Sequence, residues 1–167
     1  MFYIIAFVFG SIWGSFANVC IYRLPANKNV ATGRSCCPNC NNLIKWYDNI
    51  PIVSFLFLQG VCRNCSKKIN TQYLLVELIS GFSFAICYYF FGISITTLLF
   101  FILTICFVII FFIDLKHFII PNELTITLMV IGILKSIVPD LNNEIFPNFI
   151  NSVLGGVIGY VLIWLII

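Results

Sequence analysis

Two Cys-x-x-Cys pairs are the strongest chemical signal in the sequence. Cys37-Pro-Asn-Cys40 and Cys62-Arg-Asn-Cys65 are separated by 21 residues. Each pair can present two thiolates from a tight turn, and two pairs complete the tetrahedral ligand set that Zn²⁺ prefers. We predict that these four cysteines form a closed, structural zinc site; a redox-active dithiol is the alternative. Cys36 competes with Cys37 as a ligand, and the spacing favours Cys37.

Acidic residues near the ends of apolar segments are the second group of candidates. Asp114 directly follows the apolar run 94–113, and Glu77 lies about one helical turn inside the run 72–91. An ionisable group at the edge of a membrane span is a functional candidate. The alternative for Asp114 is an interfacial carboxylate, and for Glu77 a partner of a cation or a backbone donor. We interpret His117 as an interfacial residue rather than a general base.

The composition indicates which elements must position these residues. Hydrophobic residues make up 61% of the 167 residues and charged residues only 9%, whereas soluble chains carry about 25% charged residues. A membrane helix needs about 20 apolar residues. Five segments approach this pattern: 1–20, 72–91, 94–113, 124–138 and 149–167. We therefore predict an all-α polytopic membrane protein with five transmembrane helices. A nucleic-acid-binding function is excluded because the net charge of +3 comes from a few clustered cations.

The distribution of cations predicts the orientation in the bilayer. Seven of the nine Lys and Arg residues lie in segment 21–71. The positive-inside rule places such a segment in the cytoplasm, so the N-terminus is expected outside. The predicted organisation is a transmembrane helix over 1–20, a small zinc-ribbon-like cytoplasmic domain over 21–71, and a transmembrane domain over 72–167.

Glycines spaced four residues apart occur on two of the predicted helices. They are Gly10 with Gly14, and Gly155 with Gly159. Small residues at this interval let membrane helices approach closely, so we predict helix contacts at both pairs. No internal repeat is evident.

Several motifs, taken in chain order, resemble a known family. Besides the two cysteine pairs they are Gly14-Ser-Phe-Ala-Asn-Val-Cys-Ile-Tyr-Arg-Leu-Pro25, Trp46-Tyr-Asp-Asn-Ile-Pro51, Leu75-Val-Glu-Leu78, and Asp114 followed seven residues later by Pro121. Together they resemble the type IV prepilin peptidases, which are bifunctional leader peptidase/N-methyltransferases of bacterial inner membranes. The resemblance extends from Gly14 to about Gly159.

The resemblance implies an intramembrane aspartic endopeptidase. Such an enzyme removes the leader of prepilins or pseudopilins at the cytoplasmic membrane face and then methylates the new N-terminus with S-adenosylmethionine. Asp114 falls on the first of the family's two catalytic aspartates. The family's zinc ligands fall on Cys37, Cys40, Cys62 and Cys65. The sequence identifies no residue that binds S-adenosylmethionine, because it lacks a nucleotide-binding glycine motif after a strand.

One family motif has no counterpart in the sequence. The second catalytic aspartate of the family lies in a Gly-x-Gly-Asp motif, which these 167 residues do not contain. We expect the sequence to belong to a longer enzyme, or to be completed by another chain. The alternative function is a catalytically inactive or split membrane-anchored zinc module that binds a partner. A small transporter component is a third, less favoured hypothesis.

Overall fold

The computed structural model describes residues 2–137 and 149–166. Helices dominate, in the order α1 (Phe2–Arg23), α2 (Val53–Phe57), α3 (Gln72–Phe91), α4 (Ile95–His117), α5 (Asn122–Ile137) and α6 (Phe149–Ile166). Short 3-10 turns follow α1 and precede α2, at Leu24–Ala26 and Trp46–Asn49. The chain divides into two compact units, Met1–Pro121 and Asn122–Ile167.

Within residues 2–137 and 149–166, three helices are long and apolar enough to cross a membrane. They are α1 with the turn after it, α3 and α4. The chain is therefore a membrane protein. α5 has 16 residues, and the apolar part of α6 covers Phe149–Leu162, so neither reaches that length among the described residues. The predicted count of five spans stays a prediction. Residues 138–148 and Ile167, which include the ends of two predicted spans, lie outside the described residues.

Close packing of α1 against α3 organises the first unit. A Cβ added at Gly10 would lie 2.7 Å from the Ser80 carbonyl oxygen, and one at Gly14 would lie 2.8 Å from the Glu77 Cα. The helices approach this closely only because these two positions lack side chains. The predicted contact at Gly10 and Gly14 is confirmed.

The second glycine pair lies on α6. A Cβ at Gly155 or Gly159 would meet nothing within 4 Å among the described residues. The helix contact predicted for this pair stays a prediction. In this unit α5 and α6 contact each other.

Aromatic packing joins α4 to the α1–α3 pair. The rings of Phe84 on α3 and Phe101 on α4 stack with centroids 3.6 Å apart, and Phe9 of α1 lies beside both. Phe84 is almost completely buried. Many other apolar side chains on these helices are exposed, as expected when lipid rather than water surrounds them.

The caps of α4 decide where Asp114 lies. The Ser94 hydroxyl accepts the Thr97 amide at 3.1 Å and so begins the helix. Phe118 adopts a left-handed conformation with φ of 53° and donates its amide to the Asp114 carbonyl at 2.9 Å. This C-terminal cap ends α4 at His117, four residues later than the predicted span. Asp114 is therefore in the last turn of the helix rather than after it.

Candidate metal centre

The two cysteine pairs lie in turns with the same backbone hydrogen bonds. In each turn the amide of the first cysteine donates to the carbonyl five residues later, at 3.0 Å from Cys37 and 2.9 Å from Cys62. The carbonyl of the same cysteine accepts the amide four residues later, at 2.9 Å in both turns. That fourth position, Asn41 or Ser66, has a φ of 55° in each turn. Each turn therefore aims two sulfurs toward one point.

These turns correct the expectation that the chain has no internal repeat. The pattern Cys-x-Asn-Cys-x-x-x-Ile occurs at 37–44 and again at 62–69. In both copies the amide of the isoleucine closes the turn, with Ser35 as the acceptor at 2.9 Å and Gly60 at 2.7 Å. Superposing the sequence on itself with an offset of 25 residues reveals the repeat.

The repeat brings four sulfurs together. The Sγ atoms of Cys37, Cys40, Cys62 and Cys65 all lie within 4.8 Å of one another, and those of Cys37 and Cys65 are 3.9 Å apart. A tetrahedral zinc site with Zn–S bonds of about 2.3 Å has sulfur–sulfur edges of about 3.8 Å. The donor set and its spacing therefore fit Zn²⁺. Cys36 is exposed and lies outside this cluster.

The clustered thiols differ in acidity. Hydrogen bonds from the backbone amides of Cys65 and Asn64 lower the pKa of Cys62 to about 6. The backbone amide of Asn42 lowers the pKa of Cys40, but desolvation and the neighbouring sulfurs outweigh it and raise that pKa to about 11. Cys62 is therefore a thiolate at neutral pH, whereas Cys40 keeps its proton until a cation displaces it.

An ion pair links the second cysteine turn to the 3-10 turn before α2. The Arg63 guanidinium donates to both carboxylate oxygens of Asp48, with Nε–Oδ2 and Nη2–Oδ1 distances of 2.9 and 2.6 Å. It also lies 5.5 Å from the centroid of the Tyr47 ring. The hydrogen bond from Arg63 lowers the pKa of Asp48, and Asp48 in turn raises the pKa of Arg63. This bidentate ion pair restrains the orientation of the metal-binding turn.

Side chains of α1 and α3 attach the cysteine loop to the membrane helices. At the end of α1, the Arg23 guanidinium donates to the carbonyls of Asn29, Thr32 and Gly33 at 3.0, 2.6 and 3.2 Å. Glu77 of α3 is buried, and its Oε2 accepts the Ile52 amide at 2.7 Å. The sequence left a cation or a backbone donor as the partner of Glu77. The structure shows a backbone donor, the amide of Ile52.

Asp114 is not part of the cysteine cluster. Its side chain is exposed in the last turn of α4, one turn before the also exposed His117. An exposed carboxylate at the end of an apolar helix can meet both water and a substrate that reaches the helix end. Its catalytic role stays a prediction.

Two family models match the chain in succession. The Bacterial Peptidase A24 N-terminal domain matches residues 8–91, which include most of α1, the cysteine cluster and α3. The Type IV leader peptidase family matches residues 101–167, which include Asp114. No solved structure matches the chain.

Curated relatives carry one shared name, "Prepilin leader peptidase/N-methyltransferase". The chain is 39% identical to the protein from Myxococcus xanthus over 80% of the chain and 40% of that relative. It is 42% identical to the Vibrio cholerae protein over 74% of the chain and 52% of that relative. With the Klebsiella pneumoniae protein the identity is 34%, over 95% of the chain and 70% of that relative. The chain therefore spans about half the length of the first relatives. A non-catalytic zinc module is not favoured by these matches.

Proposed function

The chain belongs to the type IV leader peptidase family, and on that basis we propose that it removes leader peptides from prepilins or pseudopilins. The reaction is hydrolysis of one peptide bond at the cytoplasmic face of the bacterial inner membrane. The same enzyme then methylates the new N-terminal amine with S-adenosylmethionine. The observation that carries the proposal is the match of both family models in order along one chain.

Asp114 takes one half of the acid–base chemistry in this proposal. Aspartic peptidases use two carboxylates that share a proton: one removes a proton from the attacking water, and the other protonates the scissile carbonyl oxygen. The exposure of Asp114 in the last turn of α4 supports this role, because the carboxylate can reach water at the end of an apolar helix. None of these 167 residues is assigned to the second carboxylate.

The cysteine loop acts as a structural module in this proposal. Bound Zn²⁺ would be held by Cys37, Cys40, Cys62 and Cys65 and would cross-link the two repeated turns. Four thiolate ligands leave no open coordination position for chemistry. No residue is assigned to S-adenosylmethionine.

The proposed arrangement in the membrane follows from charge and helix length. We propose a first transmembrane helix over 1–20, a cytoplasmic zinc-binding domain over 21–71 and a transmembrane peptidase domain over 72–167. The clustering of seven of nine cations in 21–71 supports the cytoplasmic side for the loop and the outside for the N-terminus. In this arrangement α5 and α6 complete five spans.

Depletion of the protein in its own cells tests the proposal. We expect pilin subunits to accumulate with their leaders attached and without N-terminal methylation, as measured by mass spectrometry of membrane fractions. Re-expression of the protein should restore both modifications. Fully processed and methylated pilins at unchanged levels after depletion would refute the proposal.

A further inference from the structure

A strained turn in the cysteine loop lies directly against a buried carboxylate of α3. Ile52 has φ of 62° and ψ of −52°, and its two neighbours are joined by a hydrogen bond from the Val53 amide to the Pro51 carbonyl at 2.5 Å. These features define a γ-turn with positive φ, which is rare and strained. The strain is greater for a β-branched residue such as isoleucine, whose side chain crowds the backbone in this region.

The carboxylate of Glu77 binds the centre of this turn. Glu77 Oε2 accepts the Ile52 amide at 2.7 Å, and the Glu77 residue is only 8% exposed. The Ser15 hydroxyl of α1 lies beside the same carboxylate. Glu77 therefore contacts α1 and the cysteine loop while it belongs to α3. A charge-assisted hydrogen bond in such a shielded place is stronger than a neutral one on the surface.

The close approach of α1 and α3 places the carboxylate at this position. Gly14 lies against the backbone of Glu77, where an added Cβ would be 2.8 Å from its Cα. One turn nearer the loop, the Asn18 amide group donates to the Tyr73 carbonyl at 3.0 Å. The two helices thus hold Glu77 in a fixed frame, and α2 begins at Val53, immediately after the residue that Glu77 binds.

We propose that Glu77 is a positioning residue that fixes the cysteine loop onto the α1–α3 pair by holding Ile52 in its strained conformation. The consequence is that α2, and through it the second cysteine turn that begins at Cys62, keeps a defined place relative to the helices. The proposal goes beyond the peptidase function and does not depend on it, because it concerns the placement of the loop.

Hydrogen–deuterium exchange of the full chain in lipid nanodiscs, with zinc supplied to every sample, tests the proposal. Glu77→Leu removes the acceptor, so we expect exchange in peptides covering 50–58 to rise by about tenfold. Glu77→Gln keeps a neutral acceptor and should produce a smaller rise, of about threefold. Ser80→Ala is the matched control, because Ser80 is equally buried on the same helix and its hydroxyl has no hydrogen-bond partner among the described residues. We expect wild-type exchange in this control.

A general loss of structure would raise exchange throughout α1 and α3, whereas the proposal requires a rise confined to the loop. Exchange in 50–58 that equals the wild-type rate in Glu77→Leu would overturn the proposal. Equal rises in Glu77→Leu and Ser80→Ala would overturn it too.

A second pair of variants keeps the test decisive if Glu77→Leu does not fold. Glycine adopts positive φ without strain, so Ile52→Gly removes the need for a carboxylate at this turn. The increase in exchange caused by Glu77→Gln should therefore be smaller in the Ile52→Gly background than in the wild-type background. The same increase in both backgrounds would mean that Glu77 does not act through the conformation of Ile52, which refutes the proposal.

Discussion

Two of the four clustered cysteines, Cys62 and Cys40, enter metal binding in different protonation states. Cys62, with a pKa of about 6, is deprotonated at neutral pH, whereas Cys40, with a pKa of about 11, is protonated. Since Zn²⁺ binds thiolates, its binding must displace the proton of Cys40. The zinc affinity should therefore fall as the pH falls.

Proton release on zinc binding is the first prediction. Below about pH 6 the Cys62 thiol must also lose a proton, so binding at about pH 5 should release about one proton more than binding at about pH 7.5. Isothermal titration calorimetry in buffers of different ionisation enthalpy measures this number. An equal proton release at both pH values would contradict the assigned order of ionisation.

The ligand set gives a second prediction. Cys62→Ser removes one of the four clustered sulfurs and should abolish tightly bound zinc, because three thiolates do not complete the site. Cys36→Ser is the matched control: Cys36 is exposed and outside the cluster, so this variant should retain one zinc per chain. Metal analysis by mass spectrometry after dialysis against a chelator distinguishes the two. Loss of zinc from Cys36→Ser together with retention of zinc by Cys62→Ser would show that Cys36, and not Cys62, is a ligand.

Sequence spacing was sufficient to predict which cysteines meet, but not what Glu77 binds. Each Cys-x-x-Cys pair shapes its own turn through local backbone hydrogen bonds, so the two sulfurs within a pair converge for local reasons. The partner of Glu77 is Ile52, 25 residues earlier, in a γ-turn that no residue preference favours at isoleucine. Such a contact depends on the docking of the whole loop and is not encoded in a short pattern.

At the scale of elements, the packing of α1 on α3 depends on glycine. An added methyl group at Gly14 meets backbone, the Glu77 Cα at 2.8 Å, and backbone cannot move aside as a flexible side chain can. Gly132 on α5 has nothing within 4 Å of its Cβ position among the described residues. Alanine substitutions at Gly14 and Gly132 therefore distinguish the effect of close packing from the effect of helix propensity.

We expect Gly14→Ala to destabilise the protein by about 1–3 kcal/mol through overpacking. Gly132→Ala should leave the stability unchanged or raise it by up to about 1 kcal/mol, because alanine is the better helix former. Unfolding midpoints in detergent micelles provide the comparison. A Gly14→Ala variant as stable as the Gly132→Ala control would show that close contact at Gly14 is not required.

The ends of a helix could be predicted from the sequence where they coincide with the ends of an apolar run. The predicted span 72–91 coincides with α3, whereas α4 continues four residues beyond its predicted end at 113. That difference arises because Phe118 caps the helix in a left-handed conformation, which is uncommon for phenylalanine and invisible to hydropathy. At Gly155 and Gly159 the helix-packing pattern has no close neighbour among the described residues, so the contact predicted there stays a prediction.

At the scale of the whole molecule, the cation distribution predicts on which side of the membrane the cysteine loop lies. Cys36 is exposed in this loop and can serve as a native label site. A membrane-impermeant thiol reagent should modify Cys36 in inverted inner-membrane vesicles and leave it unmodified in intact spheroplasts. The Cys36→Ser variant identifies the labelled peptide by its loss. Labelling of Cys36 in intact spheroplasts would contradict the cytoplasmic position of the loop.

We propose that Asp114 provides one of the two carboxylates for prepilin cleavage, and an Asp114→Asn variant expressed from the native gene tests this role. Asparagine keeps the shape of the side chain but cannot act as a general acid or base, so we expect cleavage to fall by about a hundredfold or more. Methylation of a pilin supplied without its leader, and the zinc content, should remain near wild type. Glu123→Gln, which neutralises an exposed acid on α5, is the matched control and should cleave normally. Mass spectrometry of the pilin N-terminus reads both reactions. We expect uncleaved, leader-bearing prepilin in Asp114→Asn and mature pilin in Glu123→Gln. Mature pilin formed at the wild-type rate in Asp114→Asn would refute the catalytic role of Asp114.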